Sequence, residues 1–140
     1  MRATEPLPLY HSWPLEARLG EWAQGTVLDG AMLPATGGGR WRCDLADNSL
    51  TWDPAVYDLF GLPRDIVLTR PLTLACYAED SRAAMERLRA HAIRFRRGFT
   101  LDIEVGPPAS QRRWLRLIAA PVLSGSRVVA LEGLKVPLMA

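Results

Sequence analysis

The stretch that decides the fold is Gly39-Arg40-Trp41-Arg42-Cys43-Asp44-Leu45, followed after a short break by Leu50-Thr51-Trp52-Asp53-Pro54. In the first run Trp41, Cys43 and Leu45 alternate with Arg40, Arg42 and Asp44, the period of a half-buried strand. Asp47-Asn48 supplies turn chemistry, and Leu50-Thr51-Trp52 reads as the partner strand of a hairpin. Trp41 and Trp52 flank that turn on paired strands, so at least one of them belongs in the core. Asp53-Pro54 predicts a short helix, with a carboxylate to cap it and Pro at the first helical position, where no N–H is needed. Its apolar residues Val56, Leu59 and Phe60 end at Gly61, the residue that most easily takes the left-handed turn of a helix end.

Upstream, residues 1–13 are rich in Pro and small polar groups and read as an irregular arm. From Pro14 onward Leu15, Leu19 and Trp22 form one stripe of a helix, capped at Ser12 or Trp13 and closed by Gly25. A loop then leads to Gly37-Gly38-Gly39, a hinge or boundary with no side chains to pack. Downstream, residues 72–78 read as a helical turn. Asp80 or Ser81 caps the longest helix, residues 81–96, whose buried stripe is Met85, Leu88, Ala92 and Phe95 and whose stop is Gly98. The last third is β. Phe99, Leu101, Ile103 and Val105 alternate with Thr100, Asp102 and Glu104; residues 114–122 form a second strand, Ser124-Gly125-Ser126 a turn, and residues 128–136 a third. Two strands, several helices and three strands in segregated order predict an α+β fold on an antiparallel sheet.

The 140 residues, 49% apolar and 23% charged, have the size and composition of one globular domain. No run of roughly eighteen apolar residues is present to span a bilayer. Met1-Arg2-Ala3-Thr4-Glu5-Pro6 lacks the basic start and apolar core of a secretory leader. Cys43 and Cys76 are too few for a disulfide framework, and reduced thiols are the default of the cytoplasm, the expected compartment. A net charge of +2 does not by itself imply a nucleic-acid partner. Every basic residue except Lys135 is Arg, and Arg82, Arg87, Arg89, Arg94, Arg96 and Arg97 fall in one short stretch. That run reads as a solvated helix face rather than an anion-binding one.

Chemistry is sparse. No Gly-rich loop ends in Lys-Ser or Lys-Thr, and the Gly triplet precedes a strand, so there is no phosphate cradle. Cys43, Cys76, His11 and His91 do not have zinc-ligand spacing, and no metal is expected. No Gly-x-Ser-x-Gly elbow exists for a hydrolase. His91, three after Leu88 and four before Phe95, is the one side chain placed to ligate haem iron. A lone His at the margin of a buried stripe is more often a packing residue, so no cofactor is predicted. Cys76, with Tyr77 and Asp80 close by, reads as a buried structural thiol rather than a reactive one.

Taken together, residues 39–63 resemble the first half of a PAS domain of the PAS fold-3 type, whose pattern runs G-x-W-x-x-D-L, a turn, L-x-W-S-x and a short helix ending L-x-G-L. Tyr77-Ala78-Glu79-Asp80-Ser81-Arg82 stands where that family writes H-P-D-D-R. Residues 99–104 resemble its F-x-x-E-Y-R, Arg113-Trp114-Leu115 its R-W-V, and residues 128–133 its V-x-x-L-x-G. The likeness spans residues 37–136, leaving 1–36 as an arm and amphipathic cap and 137–140 as a tail. The departures are Tyr77-Ala78 for His-Pro, Asp102 and Glu104 for Glu and Arg, and Lys135-Val136-Pro137 for Asp-Ile-Thr.

The resemblance implies a five-stranded antiparallel sheet in the order 2-1-5-4-3 with short helices over one face. It implies a non-catalytic sensory or interaction module that binds a small molecule or a protein partner. Such a module signals in trans through dimer or helix packing, with a homodimer as the expected state and a kinase or cyclase as an output partner. A ligand would lie between the long helix and the inner sheet face, lined by Met85, Leu88, His91, Phe95, Leu101 and Ile103, although plain core packing explains an apolar lining without polar groups more readily. The family's light-sensing flavin branch needs a Cys inside N-C-R-F-L-Q, which this sequence lacks, so flavin is not expected. Haem-dependent gas or redox sensing through His91 is the alternative reading, and a small α+β enzyme the third. On the outer sheet face Trp114 and Ile118 would leave an apolar patch. Leu15, Leu19 and Trp22 are predicted to dock there, within the subunit or across a symmetric dimer.

Overall fold

The computed structural model describes residues 11–14, 37–106 and 112–138. Its strands are β1 (Ser12–Pro14), β2 (Gly39–Asp44), β3 (Ser49–Trp52), β4 (Arg97–Val105), β5 (Arg113–Ser124) and β6 (Arg127–Pro137). The helices are α1 (Pro54–Phe60), α2 (Arg70–Leu74) and α3 (Glu79–Phe95). All strands join one antiparallel sheet in the order β1-β4-β5-β6-β2-β3. Without β1 this is the expected five-strand order. The sixth strand corrects the reading at Ser12 and Trp13, expected in an irregular arm, and at Pro14, expected at a helix start; residues 1–10 of that arm lie outside the described residues. No described helix is long and apolar enough to cross a membrane.

The hairpin forms where the alternation places it, with Trp41 directly opposite Trp52 and Cys43 opposite Leu50. Asn48 takes the left-handed conformation at φ 60°, and the Ser49 N–H donates to Asp47 Oδ1 at 3.0 Å. α1 stops at Gly61, φ 72°. Its start differs from expectation. Asp53 precedes the helix but makes no side-chain capping bond; its Oδ2 instead accepts the backbone N–H of Arg40 at 2.8 Å. The Asp53 N–H in turn donates to the Arg40 carbonyl at 3.0 Å, so the residue extends the β2–β3 ladder. Asp53→Ala is therefore expected to cost about 1 kcal/mol while Asp53→Asn, which keeps an oxygen acceptor, costs less. Urea unfolding of both variants measures the difference; a loss confined to helix signal would return the residue to a capping role.

The glycine triplet is not a hinge. A Cβ on Gly38 would lie 2.4 Å from Val136 Cγ1, and one on Gly39 would press on Asp53 and Val56 at 3.0 Å. These positions are glycine because β2, β6 and α1 close over them. α2 begins earlier than residues 72–78, because the Thr69 hydroxyl accepts the Leu72 N–H at 3.2 Å. α3 also begins earlier, after Ala78, with Glu79 and Asp80 in its first turn facing the positive helix end. Neither Asp80 nor Ser81 caps it. The buried Ser81 hydroxyl accepts the Glu104 N–H at 2.9 Å and ties α3 to β4.

The helices share one face of the sheet, α3 lying on β4 and α1 on β2 and β3. The main core between the layers holds Trp41, Trp52, Phe60, Phe99, Ile103, Leu115 and Leu117. A second cluster on the opposite face contains Trp13, Ile118, Ala120, Leu134 and Val136. Ile118 and Trp114 do point outward as predicted, Ile118 buried and Trp114 half exposed. Leu15, Leu19 and Trp22 lie outside the described residues; within them the outer face is met by Trp13. Its indole lies so close over Gly98 that a Cβ there would fall 2.3 Å from Cη2, and Nε1 donates to Thr100 Oγ1 at 3.0 Å. Gly98→Ala is expected to lose about 1–3 kcal/mol by displacing this ring. In a Trp13→Ala background the same change should cost almost nothing, and calorimetry of the double-mutant cycle checks it.

Candidate functional site

Between the inner sheet face and α2–α3 lies a cavity of about 50 Å³. β2 and β3 contribute Trp41, Cys43, Leu50 and Trp52; β4, β5 and β6 contribute Phe99, Leu117, Leu131 and Lys135. Arg70, Thr73, Leu74, Tyr77, Met85 and Arg89 close it from the helical side. No acidic residue lines it among the described residues.

Lys135 is its most unusual wall. The strand period explains why it points inward: it lies opposite Gly39 of β2 and Leu117 of β5, two and four residues after inward-facing Gly133 and Leu131. Only 5% of it is exposed. Its Nζ stands 5.0, 4.9 and 4.8 Å from the ring centroids of Trp41, Trp52 and Phe60, close enough for each ring to attract the ammonium. Burial acts against the charge and pushes the amine down to about 7, with Cys43 opposing the shift.

The other polar groups are engaged or inert. Arg70 pairs with Glu86 of α3, and Arg89 donates to Asn48 Oδ1 at 3.1 Å. Burial, helped by Glu86, pushes the Tyr77 phenol well above its ordinary range and keeps it protonated. Burial likewise raises the Cys76 thiol, in keeping with a structural cysteine. Trp52 Nε1 is buried without a hydrogen-bond partner. A second hollow, about 260 Å³, opens on Arg40, Arg42, Thr51, Asp53 and Glu132. Arg42 there pairs with Asp44 and Glu132, and the Asp53 carboxylate accepts the Arg40 backbone N–H. No group of His, Cys, Asp and Glu that could hold a metal ion occurs among the described residues.

Of the six residues expected to line a ligand site, Met85 does so. Leu88, Leu101 and Ile103 are core residues outside the lining. His91 and Phe95 stack on each other, ring centroids 4.7 Å apart, and Phe95 is 52% exposed. The buried stripe of α3 is Ser81, Met85, Leu88 and Ala92; Phe95 is the helix's last residue, beyond the layer the sheet covers. His91 is therefore not among the residues that line the cavity. Lys135, Trp41, Trp52 and Tyr77 are the lining that periodicity on α3 did not reveal. The signal for Lys135 was available: the chain's single lysine occupies an inward position of an apolar strand.

No protein-family model matches the chain, and no curated protein matches it in sequence. Solved structures do match. A sensory box histidine kinase/response regulator from Burkholderia thailandensis E264 superposes with a TM-score of 0.64 at 13% identity, covering 77% of this chain and 82% of that one. The N-terminal domain of a diguanylate cyclase with PAS/PAC sensor from Marinobacter aquaeolei gives 0.64 at 14%, covering 71% and 94%. An RNA-binding light-oxygen-voltage receptor gives 0.64 at 18%; there the match covers 72% of this chain and only 29% of the receptor.

The last likeness reopens the question of flavin, which the missing N-C-R-F-L-Q motif had set aside. Ligand pockets for molecules of that size run to about 300 Å³ or more, against about 50 Å³ here, and Lys135 with its three rings occupies the inner wall. What the neighbours share with this chain is the arrangement of the backbone: the order β3-β2-β6-β5-β4 with helices on one face is that of a PAS domain, and this chain has the PAS fold.

Proposed function

We propose that residues 37–136 form a non-catalytic sensory module that admits a small molecule to the cavity between the sheet and α2–α3. The observation that carries this reading is the cavity itself, an opening in the core walled by a buried lysine with no carboxylate beside it among the described residues. Buried cations are normally paired, so a bare one beside open space speaks for a role beyond packing. The space takes about three or four water-sized groups, hence a ligand of a few heavy atoms. The Arg70–Glu86 pair links α2 to α3 across the cavity mouth, so a ligand that moves either helix changes the surface offered to a partner. Neighbours from a histidine kinase and a diguanylate cyclase support a signalling role. A kinase or cyclase acting on a homodimer of this chain is the output we favour.

Native mass spectrometry of the purified chain, with a thermal-shift screen of small metabolites, tests the reading. A true ligand at about 100 times its Kd should add about 2.7 kcal/mol, and Met85→Trp, which fills the cavity, should remove that gain. A bare chain that no small molecule stabilises overturns the proposal.

A further inference from the structure

We propose that Lys135 captures a small aldehyde as a reversible imine, so that the cavity reads carbonyl compounds; this rests on the cavity being a ligand site. Three independent observations converge on the amine. Lys135 is the only lysine among 17 lysines and arginines, and it is the one held in the core. Arg, used everywhere else, keeps its charge at any accessible pH and needs partners for five N–H donors. A lysine can give up its proton and act as a nucleophile. Among the described residues no acid lines the cavity to fix the amine as a structural ammonium; Cys43, Tyr77, Arg70 and Arg89 are the other titratable groups there. The rings of Trp41, Trp52 and Phe60 hold Nζ in place, and Lys135 is itself part of the cavity wall.

The chemistry balances without an oxidant or reductant. The neutral amine attacks the carbonyl carbon, the C–N bond forms, and the oxygen takes a proton to give a carbinolamine. The nitrogen lone pair then forms the C=N bond as the oxygen departs as water. Overall, ammonium plus aldehyde gives protonated imine plus water, with charge conserved. The product is again a cation, and the same three ring faces that attract the ammonium attract it. Burial, which pushes the amine down to about 7, keeps a large share of it neutral at pH 7, against about one in a few thousand for an ordinary lysine. The size of the cavity limits the partner to a few heavy atoms.

The test uses the full chain at pH 7 with propanal and cyanoborohydride, which reduces imines to stable secondary amines. Peptide mapping by mass spectrometry then locates the added propyl group. The α-amino terminus serves as internal reference. Relative to it, Lys135 should be alkylated at least about tenfold faster in the folded chain than in guanidinium chloride, where its pKa is ordinary. In Lys135→Arg only the terminus should react. Labelling of the terminus alone in the folded chain, or of Lys135 no faster than in the unfolded one, overturns the proposal. If propanal fails while another small molecule stabilises the chain in a Met85→Trp-sensitive way, the imine falls and the ligand cavity stands. If neither occurs, both fall.

Discussion

Lys135→Met is expected to stabilise the protein by about 2–4 kcal/mol at pH 7, although most core substitutions destabilise. Met keeps the unbranched apolar stem and removes the amine, whose charge is favoured by the three aromatic faces around it and by Cys43 but disfavoured more strongly by burial. The pH dependence gives the sharper signature. In the unfolded chain the amine titrates at its ordinary value of about 10.4, and in the folded chain at about 7. Between those values the unfolded chain holds a proton that the folded one has lost, so stability rises with pH from about 7 upward and is flat below. Cys76 and Tyr77, both raised by burial, act in the opposite sense. Their folded forms stay protonated where the unfolded groups ionise, above the ordinary 9.0 and 10.0. The Lys135 slope is therefore cleanest between pH 7 and 9. Urea unfolding across that window should show it in the natural chain and not in Lys135→Met. A variant less stable than the natural chain at pH 7, or a natural chain without the slope, would mean that the amine has a partner or reaches water.

The elements that were legible in the sequence are those whose contacts are local or strictly periodic. Alternation in residues 39–45 and 99–105 places the strands and their inward sides, and Asp47-Asn48 and Gly61 mark their turns because φ and hydrogen bonding there are decided within a few residues. β1 escaped because three residues ending in Pro14 carry no alternation; it exists through a contact with Gly98, far along the chain. Asp53 misled for a related reason. Next to Pro54 it has the look of a helix cap, yet the stronger claim on its carboxylate comes from Arg40 across the ladder. The α3 periodicity named Met85, Leu88 and Ala92 correctly and overran at Phe95, since a helical repeat does not reveal where the opposing sheet ends. The cavity is built mainly from strands and α2, so the periodicity of the long helix identifies only Met85 of its walls, and Arg89, read as part of a solvated face, lines it too. Lys135 is legible as an inward position of β6 only once the strand's register is fixed; in the sequence alone it is a departure from Asp-Ile-Thr and the one basic residue that is not Arg.

Trp52→Ala is expected to lose about 3–5 kcal/mol, and Trp41→Ala as much. The two residues stand opposite each other across the hairpin; Trp52 is 6% and Trp41 8% exposed. Trp52 also packs edge-on to Tyr57 at 5.3 Å and tilted on Phe60 at 4.7 Å. Phe substitutions should separate the pair. Trp52 Nε1 is buried with no acceptor, so Trp52→Phe loses bulk but also removes an unsatisfied donor, and its net cost should stay below about 1.5 kcal/mol. Trp41 Nε1 donates to the Ile118 carbonyl at 3.2 Å; Trp41→Phe loses the same bulk together with a made hydrogen bond and should cost about 1 kcal/mol more. Equal costs for the two Phe variants would mean that Trp52 Nε1 has found a partner. Trp52→Ala does more than leave a hole. It removes one of the three faces on Lys135 and gives water a path to the amine, which lets its pKa climb back toward the ordinary value. The rise in stability between pH 7 and 9 should then flatten in Trp52→Ala and persist in Trp52→Phe, where an aromatic face still screens the ammonium from water. A slope unchanged in both would show that Trp52 packs the hairpin without governing the lysine.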